Sequence, residues 1–375
     1  MRRKMFAFAM VGLLAMGGVV GCDDNGGDST TGGGDAGSGP KIYGNGKGKI
    51  GVILPDTASS QRWGTDDPKF LKAAFDAAGV QADIQNAQGD KAKFASIADS
   101  MISGGATVLM IVNLDSGTGK TVLDKAKKAG LATIDYDRLT LNGGADYYVS
   151  FNNVTVGTLQ GQGLQRCLRE KGTKAPLVAS LNGSPTDNNA TQFKQGYDQV
   201  LQPMFDSEAY VKGPDQSVPD WSNDEAGVIF EQMMTQTGNK IRGVVAANDG
   251  LANAAIGVLK KNKLNGTVPV TGQDATVQGL QNILTGDQCM TVYKPIKQEA
   301  EAAANLAINL FKGEKIDVGL SKVKDVESGA YVPARLLKPQ LIFKENVKDV
   351  VKDGFVERKD VCKDDIEALC AANGI

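Results

Sequence analysis

The chain of 375 residues contains no histidine. That excludes Ser-His-Asp and Cys-His nucleophilic systems, and every metal site that relies on imidazole. Aromatic residues are scarce at 6%, with only two tryptophans, Trp63 and Trp221. There is no basic excess either: 41 Lys and Arg stand against 43 Asp and Glu. A nucleic-acid partner would call for a basic face, so none is expected. The apolar run Phe6 to Val20 is too short and too rich in glycine for a membrane span.

Cysteine is limited to five residues, and position suggests their roles. Met1 to Cys22 reads as a bacterial lipoprotein export signal: Arg2, Arg3 and Lys4 form a positive start, the apolar run follows, and Val19-Val20-Gly21-Cys22 resembles a lipobox. Cleavage there would leave Cys22 as the first residue, anchored to a membrane through lipid on its thiol. Removing those three cations from 41 leaves 38 against 43 acidic residues, a net charge of about −5. Cys362 and Cys370 stand close together in an exported chain, so a local disulfide is expected. No short pairing is offered to Cys167 and Cys289, which are expected to be buried free thiols.

Asp23 to Pro40 is nearly all Gly, Asp, Ser and Thr and cannot bury enough surface to fold, so residues 23–46 are expected to be a flexible tether. The roughly 330 residues that follow exceed what one small core organises, and two domains are expected. From Lys49 on, strand-like runs alternate with amphipathic helical stretches. Ile50 to Leu54 precedes a helix from Asp67, Thr107 to Val112 precedes one from Lys120, and Ala132 to Asp137 is a fourth strand. A second series starts at Tyr147 and runs through Pro176 to Leu181, Gly243 to Ala247 and Val268 to Gly272. This rhythm predicts an α/β chain of two doubly wound parallel-sheet units. Ligands of such sheets bind beyond the carboxyl ends of the strands, so two facing units would share one cleft.

The strand-end loops carry an unusual set of side chains. They hold Ser59-Ser60-Gln61-Arg62-Trp63, Asp135-Tyr136-Asp137-Arg138, Gly183-Ser184-Pro185-Thr186-Asp187-Asn188-Asn189, Asp220-Trp221, Asn248-Asp249, Gly272-Gln273-Asp274 and Thr291-Val292-Tyr293-Lys294-Pro295. Indole rings can lie flat on the C–H patches of a pyranose, charged groups make strong bonds to hydroxyls, and Asn both donates and accepts. Arg62, Arg138 and Lys294 balance Asp137, Asp187 and Asp274, so a neutral ligand is expected. Asp187 and Asp249, at helix starts, could instead serve as N-caps. Ser116-Gly117-Thr118-Gly119-Lys120-Thr121 imitates a phosphate-binding loop, but Leu114 stands where that motif needs glycine, so a strand-to-helix turn is expected.

With those loops the chain resembles the type I periplasmic sugar-binding proteins of ABC transporters, above all their D-xylose-binding branch, over about Lys49 to Phe355. Arg62-Trp63, Tyr136-Asp137-Arg138, the Ser184 to Ala190 segment, Gly272-Gln273-Asp274 and the Thr291 to Ile296 segment carry the likeness. The resemblance implies that Arg62, Asp137, Arg138, Asp187, Asn189, Asn248, Asp274 and Lys294 bond sugar hydroxyls while Trp63 and Trp221 pack on the ring faces. It implies two lobes joined by three crossover strands. By pattern the crossings fall near 147–150, 270–273 and 330–335, giving lobes of 47–147 plus 272–331 and 148–271 plus 332–375. No cofactor, metal or catalytic residue is implied. The role implied is that of a monomeric receptor outside the cytoplasm, lipid-anchored, which hands a monosaccharide to a permease served by a separate ATPase subunit. Ser59-Ser60-Gln61 is closer to receptors for several sugars (glucose, galactose, arabinose), which leaves that ligand range, with signalling to a sensor kinase or chemoreceptor, as the alternative. A glycosidase would need a free general acid, whereas each cleft acid here has a cation to pair with.

Overall fold

Ile50, Val52 and Leu54 of the first strand join one apolar cluster while Ile53 joins another. A strand apolar on both faces needs helices on both, and the chain supplies them. The computed structural model describes residues 44–375 apart from 315, 317 and 318. The expected leader, Cys22 and most of the expected tether lie outside the described residues.

The first lobe is built from β1 (Lys49–Leu54), α1 (Asp66–Ala77), β2 (Ala82–Asn86), α2 (Lys91–Ser103), β3 (Ala106–Ile111), α3 (Ser116–Lys128), β4 (Ala132–Tyr136) and β5 (Tyr147–Phe151). The second lobe follows with α4 (Asn153–Glu170), β6 (Leu177–Asn182), α5 (Asn188–Asp206), β7 (Val211–Ser217), α6 (Asn223–Gln236), β8 (Ile241–Ala246), α7 (Asp249–Lys261), α8 (Val277–Thr285) and β9 (Thr291–Tyr293). The chain then returns through α9 (Ile296–Lys312), β10 (Ser321–Lys324) and β11 (Tyr331–Leu337). It ends with β12 (Gln340–Ile342), α10 (Val347–Lys352), α11 (Arg358–Val361) and α12 (Glu367–Ala372).

The first sheet has seven strands in the order β10-β11-β5-β4-β3-β1-β2, parallel except for β10. Leu71, Phe75, Ala300, Ala303 and Ala307 of α1 and α9 fill one face, and Phe94, Ile97, Met101, Val122 and Leu123 of α2 and α3 fill the other. In the second lobe β7-β6-β8 run parallel, and a bridge from Val244 to Val270 extends the layer. Hydrogen bonds from Cys289 N to Val270 O and from Val292 N to Gly272 O then attach β9, which pairs with β12.

Three connections link the lobes, but two lie further along the chain than expected. The first follows β5. The second is Lys294-Pro295, because α8 packs on α7, and β9 packs on α4, within the second lobe. The third lies between Leu337 of β11, which still pairs with Phe151, and Gln340 of β12. The expected boundaries at 272 and 331 are therefore corrected. The strand-like run at Val268–Gly272 looks like a crossing in sequence, yet among the described residues it forms only one bridge and ends against Asp249 of its own lobe. A Cβ at Gly272 would lie 2.1 Å from that carboxylate.

The thiol assignment also changes. Cys167 of α4 and Cys289 ahead of β9 are joined in a disulfide with Cα atoms 6.3 Å apart, so they are not free. Their 122-residue separation hid a pairing that the sheet order brings about. Cys362 and Cys370 are joined as well, with Cα atoms 5.9 Å apart. Helix α3 begins earlier than expected: Asp115 caps it, accepting from Thr118 N, and Ser116 to Thr121 form its first turns. Lys120 pairs with Asp124 on the same helix.

Candidate functional site

Each strand-end loop delivers its side chains to one place. After β1 a single tight turn, Gln61–Trp63, buries both Arg62 and Trp63. Asp137 and Arg138 follow β4. Asp187 caps α5 through Asn189 N, and Asn248 caps α7 through Leu251 N. Asp249, the other expected cap, is buried and accepts from Thr276 N, Gln288 Nε2 and Thr291 Oγ1, bracing the chain that leads to Asp274.

All ten expected ligand residues line one cavity between the lobes, together with Ser59, Ser60, Phe193 and Gln273. The space measures about 320 Å³, open solvent at its mouth included. That is near the lower end of the range for small-molecule sites, about 300–1,000 Å³, and suits one small ring rather than a chain of them. Ser59, Ser60 and Gln273 stand beside residues singled out in the sequence. Phe193 carries no such signal, since it lies one turn into α5 on a face that reads as ordinary core.

Ion pairs order the walls. Arg62 binds Asp67 through Nε and Nη2 at 2.7 Å each, Asp137 through Nη1 at 2.9 Å and Glu299 through Nη2 at 2.6 Å. Asp67 and Glu299, both fully buried, went unrecognised in the sequence because they sit inside helices with no motif around them. Lys294 lies 3.4 Å from Asp274 and 3.7 Å from Asp137. Burial works against the charge on Asp137, but Lys294, Arg62 and Arg138 outweigh it and hold that carboxyl below its ordinary value. Burial likewise opposes the charge on Lys294, and Asp137 and Asp274 reverse it, raising its pKa.

Several bonds cross from lobe to lobe. Arg138 Nε meets Asp187 Oδ2 at 3.1 Å, and the same oxygen accepts from Trp221 Nε1 at 3.1 Å. Asn189 Nδ2 donates to the Asp137 carbonyl at 3.0 Å and is itself held by Asn153, which donates to its Oδ1 at 2.9 Å. Ser60 Oγ reaches Asp274 Oδ2 at 3.3 Å. The lobes are thus closed on one another.

The aromatic rings are fixed on both sides. The Arg62 guanidinium carbon lies 4.1 Å from the Trp63 ring centre, and Tyr136 meets that ring edge-on at 6.4 Å. Trp221 meets Phe193 edge-on at 6.4 Å and presses against Gly183, where a Cβ would fall 2.1 Å from its ring. Only glycine lets the ring in. Asp137, Trp221 and Asp274 all adopt left-handed backbone, with φ of 60°, 57° and 99°. Such strain collects at ligand clamps and persists only where the surroundings over-determine it. At Asp137 they do: its carbonyl accepts from Tyr148, Ser150 and Asn189 together.

The chain matches the model of a periplasmic binding protein domain over residues 50–315. It is 37% identical over 311 residues to the D-xylose-binding periplasmic protein of Escherichia coli K12, an alignment covering 82% of this chain and 90% of that one. It belongs to the type I periplasmic sugar-binding proteins. The multiple sugar-binding periplasmic receptor ChvE of Rhizobium radiobacter is 32% identical over 334 residues, covering 84% of this chain and 93% of that receptor. Among solved structures, an ABC transporter solute-binding protein of Clostridium phytofermentans with bound β-D-glucose superposes with a TM-score of 0.76 at 28% identity, covering 83% of this chain and 99% of that one. Membership of this family explains the two-lobed fold, the three connections and the placement of the cavity. No helix among the described residues is long and apolar enough to cross a membrane.

Proposed function

We propose that the protein is the monosaccharide receptor of an ABC importer, binding D-xylose in the interlobe cavity and releasing it to a membrane permease. The observation that carries this reading is the cavity itself, where two indole rings, three cations and three carboxylates surround space for one sugar. Arg62, Asp137, Arg138, Asp187, Asn189, Asn248, Asp274 and Lys294 bond the hydroxyls, and Trp63 and Trp221 take the ring faces. Charged partners strengthen such bonds, and the even count of charges suits a ligand without charge of its own. The relatives named for D-xylose favour that sugar.

Transport proceeds by closure. Arg138, Asp137 and Ser60 on one lobe and Asp187, Asn189 and Asp274 on the other are half-sites that a sugar bridges, so binding favours the closed form. That form presents matched lobe surfaces to the permease, and ATP is hydrolysed on a separate subunit. The protein acts as a monomer held outside the cytoplasm by lipid on Cys22. It performs no chemistry on its ligand, because each acid at the cavity wall is paired with a cation: Asp137 with Arg62 and Lys294, Asp187 with Arg138, and Asp274 with Lys294.

A second reading, a receptor for several monosaccharides that also signals, draws support from the likeness to the multiple sugar-binding receptor and from Ser59-Ser60-Gln61. Isothermal titration of the purified protein against xylose, glucose, galactose, arabinose and ribose tests both. Tight binding of xylose alone supports the first reading. Comparable binding of several sugars supports the second, and no binding of any overturns both.

A further inference from the structure

Granting that the cavity holds a sugar, we propose that Glu299 is a positioning residue for that ligand, holding Arg62 in place and tying it to the second connection between the lobes. A guanidinium has five N–H donors. Four are committed here: Nε and one hydrogen of Nη2 to Asp67, the other hydrogen of Nη2 to Glu299, and one hydrogen of Nη1 to Asp137. A single Nη1 hydrogen remains for a sugar hydroxyl, and its direction is set by the three carboxyl groups. Glu299 lies one turn beyond the connection, its backbone N–H donating to the carbonyl of Pro295 at 3.3 Å. Movement at Lys294-Pro295 therefore reaches Arg62 through a single side chain.

The state of Glu299 follows from what faces it. Arg62 comes from the turn after β1, Asp67 from α1, Tyr136 and Asp137 from the end of β4, Tyr148 from β5 and Lys294 from the connection. Glu299 Oε1 is buried and has no hydrogen-bond partner among the described residues. A buried carboxylate oxygen without a donor favours the neutral acid. Burial, with Asp137 and Asp67 adding repulsion and Arg62 and Lys294 opposing, pushes this carboxyl up to about 8. Closing the cleft over a sugar removes further water and strengthens the hold on the proton. Affinity then falls as pH rises, when a third anion competes for Arg62.

The test titrates D-xylose and D-glucose into the purified protein, Glu299→Gln and Glu299→Ala at pH 6.5 and 9, and records tryptophan emission against pH without sugar. Wild-type affinity is expected to weaken about tenfold at the higher pH, as a tenfold difference in proton affinity between free and bound forms would impose. Glu299→Gln, which mimics the neutral acid, should keep the low-pH affinity at both. Glu299→Ala should bind weakly at both. Equal affinities and pH profiles for wild type and Glu299→Ala would overturn the proposal. If wild type binds neither sugar, the ligand reading is what fails, and emission still decides, because Arg62 lies over Trp63. A pH-dependent emission step in wild type that is missing from Glu299→Gln supports the link to Arg62; superimposable curves sink it.

Discussion

Asp187 caps a helix, neutralises Arg138 across the cleft and accepts from the indole of Trp221. Replacing it with alanine leaves the buried Nε of Arg138 and the buried indole N–H without the acceptor they share. Hydrogen bonds to charged groups contribute about 1.5–3 kcal/mol each, so Asp187→Ala should weaken sugar binding by about ten- to a hundredfold or more. Calorimetric titration checks this, and unchanged affinity would remove Asp187 from the site. Glu299 makes a prediction about stability as well. Its folded carboxyl, at about 8, binds a proton more tightly than the unfolded chain does. The stability this supplies is complete below the ordinary glutamate range and is lost as pH rises through 8. Urea unfolding at pH 6 and pH 9 should show a decline in wild type that is smaller in Glu299→Gln. Asp137 carries the opposite sign, since its lowered carboxyl adds stability that disappears only in acid. At this scale the sequence was informative wherever a residue stood in a loop at a strand end. It was silent on Asp67, Glu299 and Phe193, whose helices look like any other amphipathic helix until the fold turns one face toward the cavity.

Among the elements, α4 and β9 stand on either side of a long stretch of chain and frame two of the three connections. The Cys167–Cys289 disulfide clamps them, closing a loop of 122 residues. The chain-entropy model gives about 4–5 kcal/mol for a loop of that size. Removing both cysteines as serines should lower the unfolding free energy by that order, against a smaller loss for the Cys362–Cys370 loop. Equal losses in denaturant titrations would contradict the entropic account. Strand cores were legible from local pattern, as the parallel order of β1 to β5 bears out. The lobe boundaries were not. Val268–Gly272 and Thr291–Tyr293 are both short apolar runs, and which of them precedes a connection depends on what packs against α7 and α4.

At the scale of the whole molecule, the described structure is the closed form, with Arg138–Asp187 and Asn189–Asp137 bonds spanning the lobes. In solution without sugar the two lobes should separate, and saturating sugar should reduce the radius of gyration measured by small-angle scattering. Ligand at about a thousand times its Kd should add about 4 kcal/mol to stability and raise the melting temperature accordingly. A scattering profile and melting temperature that ignore every sugar tested would count against closure as the mechanism.

The sequence by itself determined the α/β class, the two series of strands and the strand-end loops that border the cleft, because alternation of apolar and polar positions and the chemistry of loops are local properties; which ten residues of those loops were singled out came from the family resemblance. Tertiary structure decided what local pattern cannot encode. It paired Cys167 with Cys289, moved the second and third connections to Lys294-Pro295 and 337–340, and gathered three carboxyl groups on Arg62. Each of these depends on residues far apart in the chain meeting in space, and only the order of strands and the faces of helices bring them together.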